Sequence, residues 1–391
     1  MKNRGLFFFM LSVLLLGINQ GIMNSTFNNY LHDMFKFDAS ARGFMEFPRE
    51  FPGFALILVT GLLGAFSLRV WGTLVGFFSM LGVVGLAFFS PGQAWLVVWV
   101  VVWSMGDHLF MPVESAMGLA FAEKGKEGKR LGQLGGWRNF AMIGGSGLVW
   151  LVMSFVNTTP YVWLYVIAGV LGLLSALAFW RVELPQEARI AQKAFVYRRK
   201  YHLYYWLNIL FGARKQIFLT FAPWVLVSEF GVKAQTMAFL MMLAAGLGVV
   251  FRQVFGWCVD KFGERTVLAA DALILVVICA GFAFSKNVYL LFALYVLDNL
   301  MFATRIARTT YLSKIVESRS HIAASISLGV SIDHLVSMSI PALGGILWVK
   351  FGYPVVFAAA AVIAVLNFVA AFKIPRVFAA VALTPEAQAR Q

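Results

Sequence analysis

The chain has 391 residues, 60% of them hydrophobic and 13% charged, with a mean hydropathy of +0.79, which excludes a set of ordinary soluble domains, where about a quarter of residues are charged. Its 32 Lys and Arg outnumber 18 Asp and Glu, a formal charge of +14; because the bases gather in short segments between apolar runs, they imply an anionic lipid surface and no nucleic-acid partner. Cys258 and Cys279, both in apolar surroundings, are the only cysteines, so neither a disulfide framework nor a thiolate metal site is expected.

Twelve apolar stretches are each long enough to cross about 30 Å of hydrocarbon at 1.5 Å per residue: 5–31, 41–66, 70–90, 93–121, 131–155, 160–181, 201–228, 233–256, 265–285, 287–313, 321–348 and 351–374. The fold class is therefore an all-α polytopic membrane protein. The first run passes into Gly17-Ile18-Asn19-Gln20-Gly21 without a small-residue cleavage site, and reads as an uncleaved span. Gln20, Asn24 and Asn28 share one stripe of it, a polar surface suited to hydrogen-bonding a solute.

In the second span Glu46, Arg49, Glu50 and Gly53 fall at i, i+3, i+4 and i+7, one helical face, while Pro48 and Pro52 interrupt the ladder. Either Glu46 and Arg49 tie down an irregular helix, or Arg49 and Glu50 line the outer half of a cavity. In the fourth span Asp107, Met111 and Glu114 form a stripe. Asp107 lies about 21 Å from the start at Gln93, near mid-membrane, and His108 is expected to turn away from it onto a neighbouring helix. Arg138 of the fifth span matches Glu114 in depth, so the two either pair structurally or gate.

The seventh span carries Arg214 and Lys215, which diverge by about 100° and so cannot both point squarely into one cavity. The tenth carries Asp298, Asn299, Arg305 and Arg308, with the two arginines expected to hold Asp298 ionised. Arg252 and Arg308 are expected near the inner surface, snorkelling or joining a surface latch. The eleventh carries Asp333 and His334. Ionisable groups at such depths cost roughly 2.5–3.5 kcal/mol each if exposed to lipid, so most must face a polar cavity or one another.

Basic residues fix the expected orientation. Lys2, Arg4, Arg69, Lys124, Lys126, Lys129, Arg130, Arg198, Arg199, Lys200, Lys261, Arg265 and Lys314 lie in segments on one side, and Lys36, Arg42, Lys233, Lys286 and Lys350 on the other. The positive-inside rule then puts both termini in the cytoplasm. The halves also resemble each other. Phe35-Lys36-Phe37-Asp38-Ala39 precedes Phe230-Gly231-Val232-Lys233-Ala234 by 195 residues, as Gly53 does Gly248, and at an offset of 191 Asp107 matches Asp298. The expected organisation is a six-helix bundle at 1–181, a cytoplasmic linker at 182–200, a second bundle at 201–374 and a cytoplasmic tail at 375–391.

Between the eighth and ninth spans runs Gly256-Trp257-Cys258-Val259-Asp260-Lys261-Phe262-Gly263-Glu264-Arg265. It fits the G-x-x-x-D-[RK]-x-G-x-[RK] loop of the major facilitator superfamily, and with twelve spans and the repeat the chain resembles a member of that family. The resemblance implies two pseudo-symmetric six-helix bundles that rock about a central site, and a latch in which Asp260 and Arg265 act against the start of the fifth span near Leu131. The first-half copy, Gly61 to Arg69, has Ala65 where the acid belongs, so that latch is weaker.

The expected function is secondary transport driven by protons, with sodium as the alternative ion, of a small polar organic anion or zwitterion. A neutral polar solute such as a sugar is the alternative cargo, and it would leave the internal charges to pair among themselves. Gln20, Asn24, Arg49, Arg214, Lys215, Asn299 and His334 are the candidate substrate-binding residues. Asp107, Asp333, Asp298 and Glu50 are candidates for proton coupling, and Asp260, Arg265, Glu114, Arg138, Arg252 and Arg308 for gating. No P-loop and no H-E-x-x-H motif is present, so no cofactor, no resident metal and no catalytic residue are expected. A membrane receptor or an intramembrane enzyme are the competing classes. The expected setting is a bacterial-type inner membrane, with lipid as the surrounding partner and the monomer as the working unit.

Overall fold

A computed structural model describes residues 2–58, 66–123, 126–156, 161–184 and 197–375. Among the described residues there is no strand; every regular element is helical. That follows from the composition, because hydrocarbon offers no partner for a backbone N–H or C=O and a helix satisfies both within itself.

The helices are α1 (Lys2–Phe35), α2 (Ala39–Leu58), α3 (Leu68–Phe88), α4 (Gln93–Ala120), α5 (Glu127–Phe155), α6 (Tyr161–Trp180), α7 (His202–Ser228), α8 (Ala234–Phe284), α9 (Val288–Met301), α10 (Arg305–Ile315), α11 (Arg319–Phe351) and α12 (Tyr353–Ala371). At 51 residues α8 is about 75 Å long by helical rise, over twice a hydrocarbon thickness. It is two crossings joined at Gly263, whose φ of 77° and ψ of 161° lie where a side chain is strained and glycine is not. That break falls inside the glycine-bearing motif read from the sequence. Conversely α9 and α10 make one crossing, interrupted by a 3₁₀ turn at Phe302–Thr304. Among the described residues the helices thus make twelve passes.

Eight described helical segments are long and apolar enough to span a membrane by themselves, and α2, α5 and α7 are not among them. These three carry Glu46, Arg49 and Glu50, then Lys129, Arg130 and Arg138, then Arg214 and Lys215. Charges on helices too polar for lipid must face the interior or, as exposed Lys129 does, lie at the helix end, so the sequence already marks where the interior is polar. Ala65 of the eroded motif, most of the 182–200 linker (185–196) and nearly all of the tail (376–391) lie outside the described residues.

Three apolar cores place the helices. One contains Ile22, Phe27 and Leu31 of α1 together with Phe218, Trp224 and Leu226 of α7 and Phe357 of α12, so it joins the first six helices to the last six at one end of the molecule. At the other end the cores are separate: Phe9, Leu16, Val113, Leu134 and Phe179 form one, and Tyr201, Tyr204, Leu268, Tyr311 and Ile374 form another. The joined end is sealed by backbone contact. A Cβ at Gly43 would meet the carbonyl oxygen of Pro341 at 2.2 Å, and one at Gly345 the carbonyl oxygen of Ala39 at 2.6 Å, so only glycine lets α2 and α11 approach this closely. Asn29 Nδ2 also donates to the Val232 carbonyl, 2.8 Å away. At the separated end Gly128, Gly132, Gly135, Gly248 and Gly256 have nothing within 4 Å of where a Cβ would stand. The molecule is closed at one end and open at the other.

Candidate functional site

The polar interior begins on α2. Glu46, with no exposed surface, accepts from Arg42 Nη1 at 2.5 Å, from Arg49 Nε at 2.7 Å and from Gln216 Nε2 of α7 at 3.0 Å. Arg42 Nε also donates to Asn28 Oδ1 of α1 at 2.7 Å. Arg49 continues to Glu50 Oε1 at 2.9 Å. The i, i+3 and i, i+4 spacing read from the sequence therefore becomes a string of alternating charges, Arg42, Glu46, Arg49, Glu50, each satisfied by the next. Such pairing is what makes four ionisable groups tolerable at this depth.

Glu50 Oε2 lies 3.1 Å from His334 Nδ1 of α11 and 3.6 Å from His108 Nε2 of α4. His108 Nδ1 is 2.9 Å from the Ser104 carbonyl. Sequence spacing sent His108 onto a neighbouring helix; it does turn away from Asp107, but into this charged cluster, its ring centroid 5.0 Å from that of His334. Room for both rings depends on Gly53, where a Cβ would strike His108 Cδ2 at 2.3 Å and His334 Cε1 at 2.5 Å.

Asp107 accepts from Gln20 Nε2 at 3.1 Å, and among the described residues no basic side chain comes within 4.0 Å of its carboxylate. The other acids of the central layer differ. Asp333 pairs with Lys215 at 2.5 Å. Asp298 pairs with Arg214, both nearly inaccessible, while Arg214 lies among the rings of Phe211, Phe218 and Phe302.

That pairing corrects the expectation that Arg305 and Arg308 hold Asp298: the 3₁₀ turn at Phe302–Thr304 sets the two arginines on a separate segment. Arg308 is also not a snorkelling or latch residue near the surface. It is 1% exposed, and its guanidinium carbon lies 3.5 Å from the centre of the Phe211 ring.

Glu114 and Arg138 pair at 2.7 Å within the first six helices. Asp260 is exposed at the open end, while Arg265 lies over the Phe372 ring at 4.7 Å. The acid of this loop that is buried is its neighbour Glu264, paired with Lys314 at 2.6 Å. Sequence reasoning passed over Arg42, Gln216 and the Glu264–Lys314 pair. Arg42 stood four residues before Glu46, a helical spacing that was legible, but it was assigned to an outer segment; nothing local pointed to Gln216 or Lys314.

Two cavities of about 480 Å³ each open into this interior, within the range of small-molecule sites. The first is lined by Asn24, Asn28, Asn139 and Asn299, by the rings of Phe27, Trp103, Phe218, Tyr295 and Phe302, and by the already paired Arg42, Arg49 and Asp298. The second holds Lys215, Asp333, Asn208, Tyr204, Arg305 and Arg308, and the two share Arg252, Phe302 and Ala303. Of the expected substrate residues, Asn24, Arg49 and Asn299 face the first cavity and Lys215 the second. Gln20 is turned to Asp107, Arg214 to Asp298 and His334 to Glu50.

Comparison with known proteins adds the following. Residues 50–332 and 204–389 match a family model described as Major Facilitator Superfamily. The multi-drug resistance efflux pump PmrA of Streptococcus pneumoniae is 30% identical over 157 residues, 38% of this chain and 38% of its own. The MFS-type transporter ppzB of Metarhizium rileyi is 32% identical over 139 residues, 34% of this chain and 27% of its own. The chain therefore spans well under half the length of these curated relatives. Among solved structures, the nucleoside transporter NupG superposes with a TM-score of 0.75 at 14% identity, covering 95% of this chain and 100% of that one. A bacterial homologue of the human lysosomal transporter Spinster, inward-facing and unoccupied, gives 0.74 at 14% identity over 96% and 97%. A D-xylose–proton symporter gives 0.67 at 15% identity over 95% and 97%. At these identities the likeness is one of fold.

Proposed function

Since the chain belongs to the major facilitator superfamily of secondary transporters, we propose that its cargo is a small neutral polar solute, a sugar or a nucleoside, moved by alternating access and coupled to protons. The observation that carries this reading is the charge pairing. Arg42, Arg49, Arg138, Arg214 and Lys215 each have a carboxylate partner, so none of these five is free for an ionic cargo. Beside the charges of Arg42, Arg49, Arg252 and Asp298, the first cavity is lined by amides and aromatic rings, groups that bind hydroxyls and the flat or C–H faces of rings. The nucleoside and xylose carriers of like fold agree with this class.

A second reading, an organic anion, draws on Arg252, Arg305 and Arg308, which line the second cavity and have no carboxylate within 4.0 Å among the described residues. Uptake into proteoliposomes under an imposed pH gradient separates the two. A labelled nucleoside or pentose is expected to accumulate and a labelled carboxylate to stay out; accumulation of the carboxylate alone would overturn the neutral cargo. Under this reading Asp107 is the proton carrier, because a carboxyl held by an amide, with no basic side chain within 4.0 Å among the described residues, can change its charge without breaking an ion pair. Sodium in place of the proton would show as accumulation driven by a sodium gradient.

The working unit is a monomer in a bacterial-type inner membrane, its bundles at 1–181 and 201–374 joined through a cytoplasmic linker at 182–200, with a cytoplasmic tail from 375. With both termini in the cytoplasm, the open end is the inner one. Asp260 and Arg265 then form a latch that closes in the opposite state. Asp260→Asn is expected to lengthen distances across the open end, measured between spin labels at Lys129 and Phe262, and to lower turnover more than binding. Identical distance distributions in variant and parent would remove Asp260 from gating.

A further inference from the structure

We propose that Glu50, His108 and His334 form a binding site for a first-row divalent transition cation that bridges α2 and α4 to α11. The three come from helices distant in sequence, and one ligand atom from each lies within 4.8 Å of the other two; Glu50 Oε2 is 3.1 Å from His334 Nδ1 and 3.6 Å from His108 Nε2. Metal–ligand bonds of about 2.0–2.1 Å place the ligand atoms of a tetrahedral centre about 3.3 Å apart. The two carboxylate–imidazole separations, 3.1 and 3.6 Å, straddle that value.

Hydrogen bonding orients the set. The Ser104 carbonyl can only accept, so His108 Nδ1, 2.9 Å away, carries the hydrogen. Nε2 then faces the carboxylate oxygen Glu50 Oε2, which also only accepts. The contact is completed by a cation, either a second proton that makes the ring an imidazolium or a metal ion, and the titration below distinguishes the two. An imidazole whose other nitrogen donates to a backbone carbonyl is the arrangement that holds metal-ligating histidines in their tautomer. Glu50 is anchored in the same way, because Arg49 occupies its other oxygen, Oε1, at 2.9 Å, leaving Oε2 as a single, fixed ligand atom.

The local charge suits a cation. Arg42 and Arg49 offset Glu46 and Glu50, so the surplus negative charge beside the site is that of Asp107, which is next to His108 and has no basic side chain within 4.0 Å among the described residues. Gly53 completes the argument, since a Cβ there would meet His108 Nε2 at 2.7 Å, the very atom offered to the cation. Two imidazoles and one carboxylate select zinc, cobalt or nickel over calcium and magnesium, which prefer oxygen alone. The ligand side chains are 11–12% exposed, so a fourth position is open to water.

The test uses the full chain, purified in detergent and stripped with chelator. Titration with Co2+ is expected to give one equivalent bound, with the visible absorption of a tetrahedral centre, displaced by Zn2+ and not by Ca2+. His334→Gln is expected to weaken zinc affinity at least about tenfold, and Gly53→Ala, which keeps all three ligands, by about ten- to a hundredfold, as disturbances around a metal site do. No tetrahedral cobalt spectrum in the parent protein would overturn the site, whatever the variants do. Unchanged zinc affinity in a folded His334→Gln would overturn it as well. Because the titration needs no cargo, its failure leaves the proposed cargo class standing, and loss of the cargo class leaves the titration unaffected.

Discussion

Arg214→Met is expected to lower the stability of the protein by about 3–5 kcal/mol, the range found when one member of a buried ion pair is removed. Arg214 and Asp298 are 2% and 3% exposed at their side chains, on α7 and α9, and Asp271, itself 1% exposed, adds a further acid to the same interior. Removing the guanidinium leaves Asp298 ionised in apolar surroundings, or forces it to take a proton. Asp298→Asn strands the guanidinium among Phe211, Phe218 and Phe302 instead. Replacing both, as Arg214→Met with Asp298→Leu, removes the stranded charge and is expected to recover most of the loss. Thermal unfolding of the four proteins in detergent reads the cycle. Single variants that melt with the parent would show that the pair is not structural.

Asp107→Asn is expected to abolish gradient-driven accumulation while preserving exchange of cargo across the membrane. The reason lies in what each acid touches. Glu50, Asp298 and Asp333 have cationic partners, and a proton placed on any of them breaks an ion pair, at Asp298 leaving Arg214 as a lone buried cation. Asp107 has an amide, Gln20 Nε2, at 3.1 Å, which tolerates either form of the carboxyl. The asparagine keeps the size and the hydrogen bond and loses only the charge. Counterflow and gradient-driven uptake in the same vesicles separate the two functions. Accumulation at the parental level in Asp107→Asn would move coupling to Glu50 or Asp333, or end proton coupling as the mechanism.

Much of the architecture was legible in the chain because the bilayer imposes it. Hydrocarbon sets the length of every apolar run, and the Gly256–Arg265 motif marked the turn that Gly263 makes. The pairs confined to neighbouring helical turns or matched depths were readable too, as for Glu46 with Arg49 and Glu114 with Arg138. What escaped was whatever depends on rotation about a helix axis or on packing between distant segments. A one-residue change turns a side chain by about 100°, and no sequence count places His108, His334 and Glu50 around Gly53. The burial of Arg308 against Phe211 escaped for the same reason, because it depends on how α10 packs on α7.

The continuous apolar core at the closed end and the two separate cores at the open end make the carrier kinetically lopsided. Opening the closed end must part interlocked side chains of α1, α7 and α12 and lift the glycine seam between α2 and α11. The open end has no such common core to part. For the proposed carrier this predicts trans-acceleration: cargo supplied on the far side of the membrane is expected to speed movement from the near side, and equal rates of homoexchange and net flux in the same vesicles would show that the core at the closed end does not limit turnover.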